Sequence, residues 1–316
     1  MHRIGYVLGE RFQVMALATQ SVFEFANLVL GEPFYTQAIF SEGGGPVRSS
    51  QQLLLVETEA LGTPGRADTW FIVGNLTPLA TEPSPTLLDF VRQAGAQARR
   101  TAGICTGGFA LAAAGLLDGR RATTHWSFAR AMQERYPRIR VEEDRIFIVD
   151  GSVWTSAGMT AGLDLALGMV EKDLGMDVAR SVAHRLVMQQ FRSGGQTQHS
   201  ELLALAPKSD RIQTALAYAR QHLSRALSVE ELAEVAHLSP RQFSRVFTAE
   251  TGQSPAKAIE GLRLEAARLM IEQTRHSLEM VARETGFRDR RHLREVFMRG
   301  FGVPPQMIRR DARRLA

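Results

Sequence analysis

The sequence predicts two domains: an α/β domain with a mainly parallel sheet, then an all-α domain carrying two helix-turn-helix motifs. Three observations lead there. Over roughly the first 190 residues, short apolar runs alternate with helical stretches, as in a sheet covered by helices. Between residues 227 and 301 one short pattern is written twice. Basic charge collects behind residue 210: residues 211–316 hold 19 Lys+Arg against 12 Asp+Glu, a balance of +7, whereas residues 1–210 hold 19 against 21, a balance of −2. A chain of 316 residues is long enough for each domain to bury a core of its own.

In the first domain, residues 4–8, 34–41 and 70–73 read as short buried strands, the third ending at Gly74-Asn75. Residues 85–99 have helical periodicity. Residues 101–104 make a strand that runs into Cys105, and 108–117 an Ala/Leu-rich helix. Residues 145–149 and 152–155 resemble a hairpin around Asp150-Gly151. Met159–Leu174 is a strong helix with small residues at its start, and 177–188 makes one more. Residues 192–208 read as a linker: Ser193-Gly194-Gly195 is a flexible composition, 201–206 suits a turn of helix, and Pro207 ends it.

The second domain opens at Asp210-Arg211 with a helix whose apolar face is Ile212, Ala215, Leu216, Ala219 and Leu223. The repeat then runs from Ser228 to Phe247 and again from Ser277 to Phe297. Ala233 matches Ala282 at an offset of 49 and Phe247 matches Phe297 at 50, so the second copy has one extra turn residue. Ser228 and Ser277 are N-cap candidates, and Glu230 and Glu279 stand where a helix dipole favours negative charge. A tight turn follows, His237-Leu238-Ser239 or Gly286-Phe287-Arg288, and Pro240 suits the first position of the next helix.

That next helix buries Phe243, Val246 and Phe247, or Leu293, Val296 and Phe297. Its other face shows Arg241, Gln242, Ser244 and Arg245 in the first copy, and Arg290, Arg291, His292 and Arg294 in the second. These side chains are of the types that reach base edges and phosphates. One such hairpin is equally at home in an ordinary bundle; two copies with basic outer faces point to double-stranded DNA. Gly252 stops one helix, Ser254-Pro255 starts another, and the chain then runs helically to Gln273. A rod of about 27 Å results, close to the roughly 34 Å between successive major grooves on one side of a duplex.

The chemical centre of the first domain is G-I-C-T-G, residues 103–107, between a strand and a helix. This is the layout of a nucleophile elbow. A thiol at a helix N-terminus is expected to have a lowered pKa, and the amides of Gly74 and Asn75 are candidates for an oxyanion hole. A small buried cysteine at a crowded turn fits the same pattern. The single cysteine excludes an internal disulfide framework and is compatible with a reducing cytoplasm. No apolar run approaches a membrane span, the N-terminus lacks a signal-peptide layout, and the eight His show no metal-ligand spacing. No metal, cofactor or membrane association is therefore expected.

R-L-E-A-A-R-L-M (residues 263–270), G-F-R-D-R-R-H-L-R-E-V-F and the closing F-G-V-P-P-Q (301–306) resemble the AraC/XylS DNA-binding domain, over about residues 211–316. The resemblance implies that the two recognition helices lie in successive major grooves. Residues 102–126, T-S-A-G-M-T-A-G-L-D-L-A-L (155–167) and G-G-Q-T-Q (194–198) are similar to the PfpI branch of the class I glutamine-amidotransferase-like superfamily. They are similar in particular to the GlxA-type transcriptional regulators, where that domain is fused to an AraC-type one. The resemblance implies a flavodoxin-like sandwich over residues 1–192 that senses a small molecule and dimerises, a linker over 193–209, and a DNA-binding domain over 210–316.

Departures from the PfpI pattern bear on chemistry. Thr106 stands where those enzymes place His after the Cys. Ser21 falls where their acidic residue would be, with Glu24 nearly one helical turn away, and Met15-Ala16-Leu17-Ala18-Thr19 replaces their Asp-x-x-Gly-Pro entry. Nucleophilic catalysis then lacks its base and its orienting acid, which leaves Cys105 and His125 as vestigial candidates. The expected ligand cavity is lined by Gly74, Asn75, Cys105, Thr106, His125, Trp126 and Ser156, with Thr124 and Ala157, at the C-terminal ends of the strands. Trp126 beside a hydroxyl and an imidazole suits a small polar or cationic metabolite. The protein so described is a cytoplasmic, homodimeric, effector-controlled activator that meets promoter DNA and RNA polymerase. Its rival is a PfpI-like cysteine hydrolase, hydratase or glyoxalase carrying a DNA-binding domain.

Overall fold

The computed structural model describes residues 1–188, 192, 194, 198, 205, 207 and 209–315. It divides into two compact units, Met1–Gln198 and His199–Ala316. The readings of Ser193-Gly194-Gly195 as flexible and of 201–206 as a helical turn fall largely outside the described residues.

In the first unit, β1 (His2–Val7), β2 (Tyr35–Ser41), β3 (Gly45–Arg48), β4 (Leu55–Ala60), β5 (Thr69–Val73), β6 (Arg100–Ile104), β9 (Phe147–Asp150) and β10 (Val153–Ser156) form one sheet in the order β3-β4-β2-β1-β5-β6-β10-β9. Inner pairs are parallel, and only the edge strands β3 and β9 run antiparallel to their neighbours. A second, two-stranded sheet pairs β7 (Arg121–Ala122) with β8 (Arg140–Val141).

Every residue of β5 is buried, because helices cover both faces and leave no polar side to the strand. Phe71 and Val73 pack with α1 (Thr19–Leu30), α5 (Met159–Leu174) and α6 (Met176–Arg185). Trp70 and Ile72 point the other way, into the layer of α2 (Pro85–Gln97) and α3 (Gly108–Ala113). The strand period of two thus assigns alternate residues to two cores. The β3–β4 hairpin, the β7–β8 pair and α4 (Trp126–Arg135) go beyond the sequence expectation. Edge strands such as V-E-T-E-A carry too little apolar alternation to announce themselves. The helix expected to reach residue 117 stops at Ala113, ahead of Gly115 in a left-handed conformation at φ 81°.

The second unit is helical: α7 (Asp210–Gln221), α8 (Val229–Val235), α9 (Pro240–Thr251), α10 (Pro255–Gln273), α11 (Leu278–Glu284), α12 (Arg290–Phe301) and α13 (Pro305–Leu315). It has two cores, one per motif. The long helix α10 serves both, giving Ala258, Ile259 and Leu262 to the first and Ala267 and Ile271 to the second. Among the described residues no helix is long and apolar enough to cross a membrane.

Candidate nucleic-acid interface and ligand site

The two motifs repeat in atomic detail. The Ser228 hydroxyl accepts from the Glu231 N–H at 3.1 Å, and Ser277 accepts from the Met280 N–H at 3.1 Å. Helices α8 and α11 are each seven residues long, and α9 and α12 each twelve. Both longer helices close on a left-handed glycine, Gly252 or Gly302. Both turns also need a left-handed residue, His237 at φ 54° in one copy and Gly286 at φ 75° in the other.

Gly286 has a second reason to lack a side chain. An added Cβ would lie 1.9 Å from the Leu223 carbonyl oxygen and 2.7 Å from Arg263 Nε. Arg263, on α10, donates from Nε to the Leu223 carbonyl at 3.1 Å and from its guanidinium to the Arg225 carbonyl at 2.7 Å. Burial lowers its pKa from the usual arginine value. One guanidinium therefore pins α10 to the loop after α7 while the turn of the second motif rests against it. Sequence reasoning missed this brace, since Arg263 reads as one more cation on a helix.

Arg241, Gln242 and Arg245 are exposed on α9, with Ser244 half-buried. Gln242 is partly committed elsewhere: its Oε1 accepts from the Ser239 N–H at 3.2 Å and from the Ser239 hydroxyl at 2.9 Å, closing a capping box. On α12, Arg290 faces Glu279 at 3.4 Å and Arg291 pairs with Glu295 at 3.0 Å. His292 is half-buried, edge-on to Phe287, and its Nδ1 accepts from the Arg288 N–H at 3.3 Å. Asp289 caps this helix, accepting from the His292 N–H at 2.7 Å, and that bond holds its carboxyl below the usual range. Arg241, Arg245 and Arg294 have no ion-pair partner among the described residues, which leaves their charge available to a polyanion. The nineteen residues of α10 measure about 28 Å.

In the first unit Cys105 sits at φ 55°, on a 3₁₀ turn between β6 and α3. Gly107 permits the turn to press on β5, for an added Cβ would lie 2.0 Å from the Ile72 carbonyl oxygen. The elbow is thus present, but the thiol does not have the lowered pKa expected of it. Only 8% of Cys105 is exposed, and burial pushes the thiol up to about 11. A hydrogen bond from the Thr106 backbone opposes the shift without overcoming it.

Thr106 packs against Gly74 and Asn75, whose amides were expected to form the oxyanion hole. Its hydroxyl donates to the Asn75 carbonyl at 2.6 Å, and a Cβ on Gly74 would lie 2.1 Å from that hydroxyl oxygen. Thr124 donates to the Cys105 carbonyl at 3.1 Å. His125 caps α4, its Nδ1 accepting from the Ser127 N–H at 3.3 Å and lying 2.7 Å from the Ser127 hydroxyl. Trp126 is 53% exposed. Ser156 is fully buried, and its hydroxyl has no hydrogen-bond partner among the described residues. Of the expected cavity lining, Asn75, His125 and Trp126 reach the surface, while Gly74, Cys105, Thr106, Thr124, Ser156 and Ala157 are buried. Glu24 is exposed on α1, not held in the core. A separate depression of about 530 Å³ is lined by Val29, Arg180, Ser181, His184 and Arg185.

Comparison with known proteins agrees with this architecture. Residues 25–172 match the DJ-1/PfpI family and residues 232–311 the helix-turn-helix domain family. The chain is 31% identical to the HTH-type transcriptional regulator GlxA of Rhizobium meliloti, over 98% of this chain and 96% of that one. Isonitrile hydratase of Pseudomonas putida is 42% identical over 31% of this chain and 42% of the enzyme. Among solved structures, an AraC family transcriptional regulator from Pseudomonas putida covers 59% of this chain and 100% of its own, with a TM-score of 0.54 at 23% identity, which speaks for the fold alone. Two matched, capped helix-turn-helix motifs behind a DJ-1/PfpI-type sheet, aligned end to end with GlxA, place this chain in the family of GlxA-type HTH transcriptional regulators.

Proposed function

We propose that this protein is a sequence-specific DNA-binding regulator, an activator, controlled by a small polar effector that its α/β unit binds without transforming. The observation that carries the reading is the pair of matched motifs joined through α10, with Arg241, Arg245 and Arg294 exposed and unpaired among the described residues. Arg241, Gln242, Ser244 and Arg245 would meet one major groove, and Arg290, Arg291, His292 and Arg294 the next. Bound phosphate would compete with Glu279 and Glu295 for Arg290 and Arg291, both exposed pairs of small worth. The functional division is residues 1–192 for effector binding and dimerisation, 193–209 as linker and 210–316 for DNA; RNA polymerase and a cytoplasmic setting belong to the same reading. Gel shifts of the full chain on promoter fragments, across a salt series, test it: affinity should fall steeply with salt. No retardation at low salt on any fragment would end the proposal.

What supports an effector site without turnover is the state of the elbow. A thiol pushed up to about 11 is almost wholly protonated at neutral pH, and Thr106 is spent on Asn75. The left-handed Cys105 and the likeness to isonitrile hydratase favour hydratase chemistry as a second reading. Assay of the chain with isonitriles, with Cys105→Ala as control, separates the two: cysteine-dependent turnover would replace the sensor reading.

A further inference from the structure

The segment that leaves the α/β unit is tied back onto it at three points. Arg192 donates to the buried Asp164 carboxylate from its N–H at 3.2 Å and from Nε at 3.0 Å. Gly194 lies so close to β9 that an added Cβ would be 2.5 Å from the Phe147 carbonyl oxygen. Gln198 is the third point, and its side chain is held on both ends. Oε1 accepts from the Trp126 N–H at 2.8 Å, while Nε2 donates to the Thr124 carbonyl at 2.9 Å and the Arg145 carbonyl at 3.1 Å, with the Thr123 hydroxyl at 3.2 Å. Its backbone N–H adds a bond to Asp144 Oδ1 at 3.3 Å.

The seat presents one N–H donor beside two carbonyl acceptors, the complement of a primary carboxamide. A carboxylate would set its oxygens against the Thr124 and Arg145 carbonyls. A guanidinium would leave the Trp126 N–H without an acceptor. A primary amide or a urea satisfies all three groups. Thr124 also joins the seat to the elbow, since its hydroxyl donates to the Cys105 carbonyl at 3.1 Å. The rings of His125 and Trp126, the two residues that follow Thr124, lie with centroids 5.6 Å apart, and Trp126 is half-exposed.

We propose that Gln198 is a tethered ligand of this seat, and that a small molecule bearing a primary carboxamide or urea group displaces it, releasing the segment that leads to the DNA-binding unit. The proposal rests on the reading that the α/β unit controls DNA binding. A tether of short length supplies its ligand at about millimolar effective concentration. A free effector must therefore exceed that, or bind the seat more tightly than the tethered glutamine does.

The test uses the full chain as wild type, Gln198→Ala and Gln198→Glu, and reads hydrogen exchange at the Trp126 amide. Both variants should exchange this amide about tenfold faster or more, the glutamate because it lacks the two N–H donors. Acetamide or urea at and above about millimolar should restore protection to Gln198→Ala, whereas acetate and guanidinium at equal concentration should not. Unchanged exchange in Gln198→Ala overturns the seat, and equal rescue by acetate or guanidinium overturns its carboxamide selectivity. DNA affinity is measured in parallel, wild type against Gln198→Ala, and should differ by about tenfold or more. Should exchange respond while DNA affinity stays within about twofold, the seat stands and the control of DNA binding through Gln198 is overturned. Loss of all DNA binding by the wild type would instead strike the regulator reading.

Discussion

The Thr106 hydroxyl donates to the Asn75 carbonyl at 2.6 Å, tying the residue after the elbow cysteine to the loop after β5. A side chain that serves as a strut between two loops is not available to deprotonate the neighbouring thiol. Thr106→Val should keep the fold and cost about 1 kcal/mol in urea unfolding, since it removes one net hydrogen bond and leaves the Asn75 carbonyl seeking another donor. A variant as stable as the wild type would show that the strut contributes nothing.

Burial of Cys105 makes its ionisation slow to appear and costly to the fold. Labelling of the native chain by a neutral alkylating reagent should rise through a midpoint near 11, far above that of a free thiol. The unfolded chain ionises first, near the ordinary value of 9, while the folded thiol waits until about 11. Its contribution to stability is therefore complete below pH 9 and is lost as pH climbs to 11, by roughly 2–3 kcal/mol. Cys105→Ser should blunt that loss and leave DNA affinity unchanged; a labelling midpoint near neutrality would contradict the burial argument.

The two turn residues in the motifs should respond differently to mutation. Gly286→Ala places a side chain at φ 75° and against the Leu223 carbonyl, so it should cost about 3 kcal/mol or more and weaken DNA binding. His237→Gly relieves the same backbone conformation in the other copy and should shift stability by less than about 1 kcal/mol. Chemical denaturation of both variants, followed by helical signal, decides the matter. Equal effects would mean that the Arg263 brace is not what makes Gly286 necessary.

On the outer faces, Arg245→Ala and Arg294→Ala should weaken binding by about 1–3 kcal/mol where the side chain reads a base, with preference relaxed at one position of the site. Where it meets only phosphate, affinity should drop evenly and the salt slope should decrease by about 1. Gln242→Ala should instead register mostly in helix stability, by about 1 kcal/mol, because its carboxamide closes the cap on Ser239. Salt-series titrations on matched and mismatched sites distinguish these outcomes; no effect from either arginine would remove both from the interface.

A proline in the middle of α10 should uncouple the motifs. Ala266→Pro costs about 3 kcal/mol in helix terms and breaks the rod between Leu262, in the first core, and Ala267, in the second. Binding to a full site should fall more than binding to a half-site. Equal losses on both would argue against docking of the two motifs in successive grooves.

Much of this was legible beforehand. Ser228, Ser277, Pro240 and Gly252 stand in the sequence at the positions their local geometry requires, and the structure uses each as a cap, a first-turn residue or a stop. Other features were invisible for physical reasons. The direction of the Cys105 pKa depends on how deeply the thiol is covered, which a G-x-C-x-G pattern does not encode. Gln242 is expected on DNA by its type and its place on the helix, and only the side-chain rotamer shows that its carboxamide also closes the cap on Ser239.

Taken alone, the sequence determined the two-domain order, the doubled motif and the family, because caps, periodicity and turn residues act within a few positions of one another. Tertiary structure alone decided that Gly286 must accommodate Arg263, and that Gln198 reaches back to Thr124 and Trp126. These relationships join residues 23 to 74 positions apart, through contacts that exist only once the intervening chain has packed. A local pattern has no means of stating them.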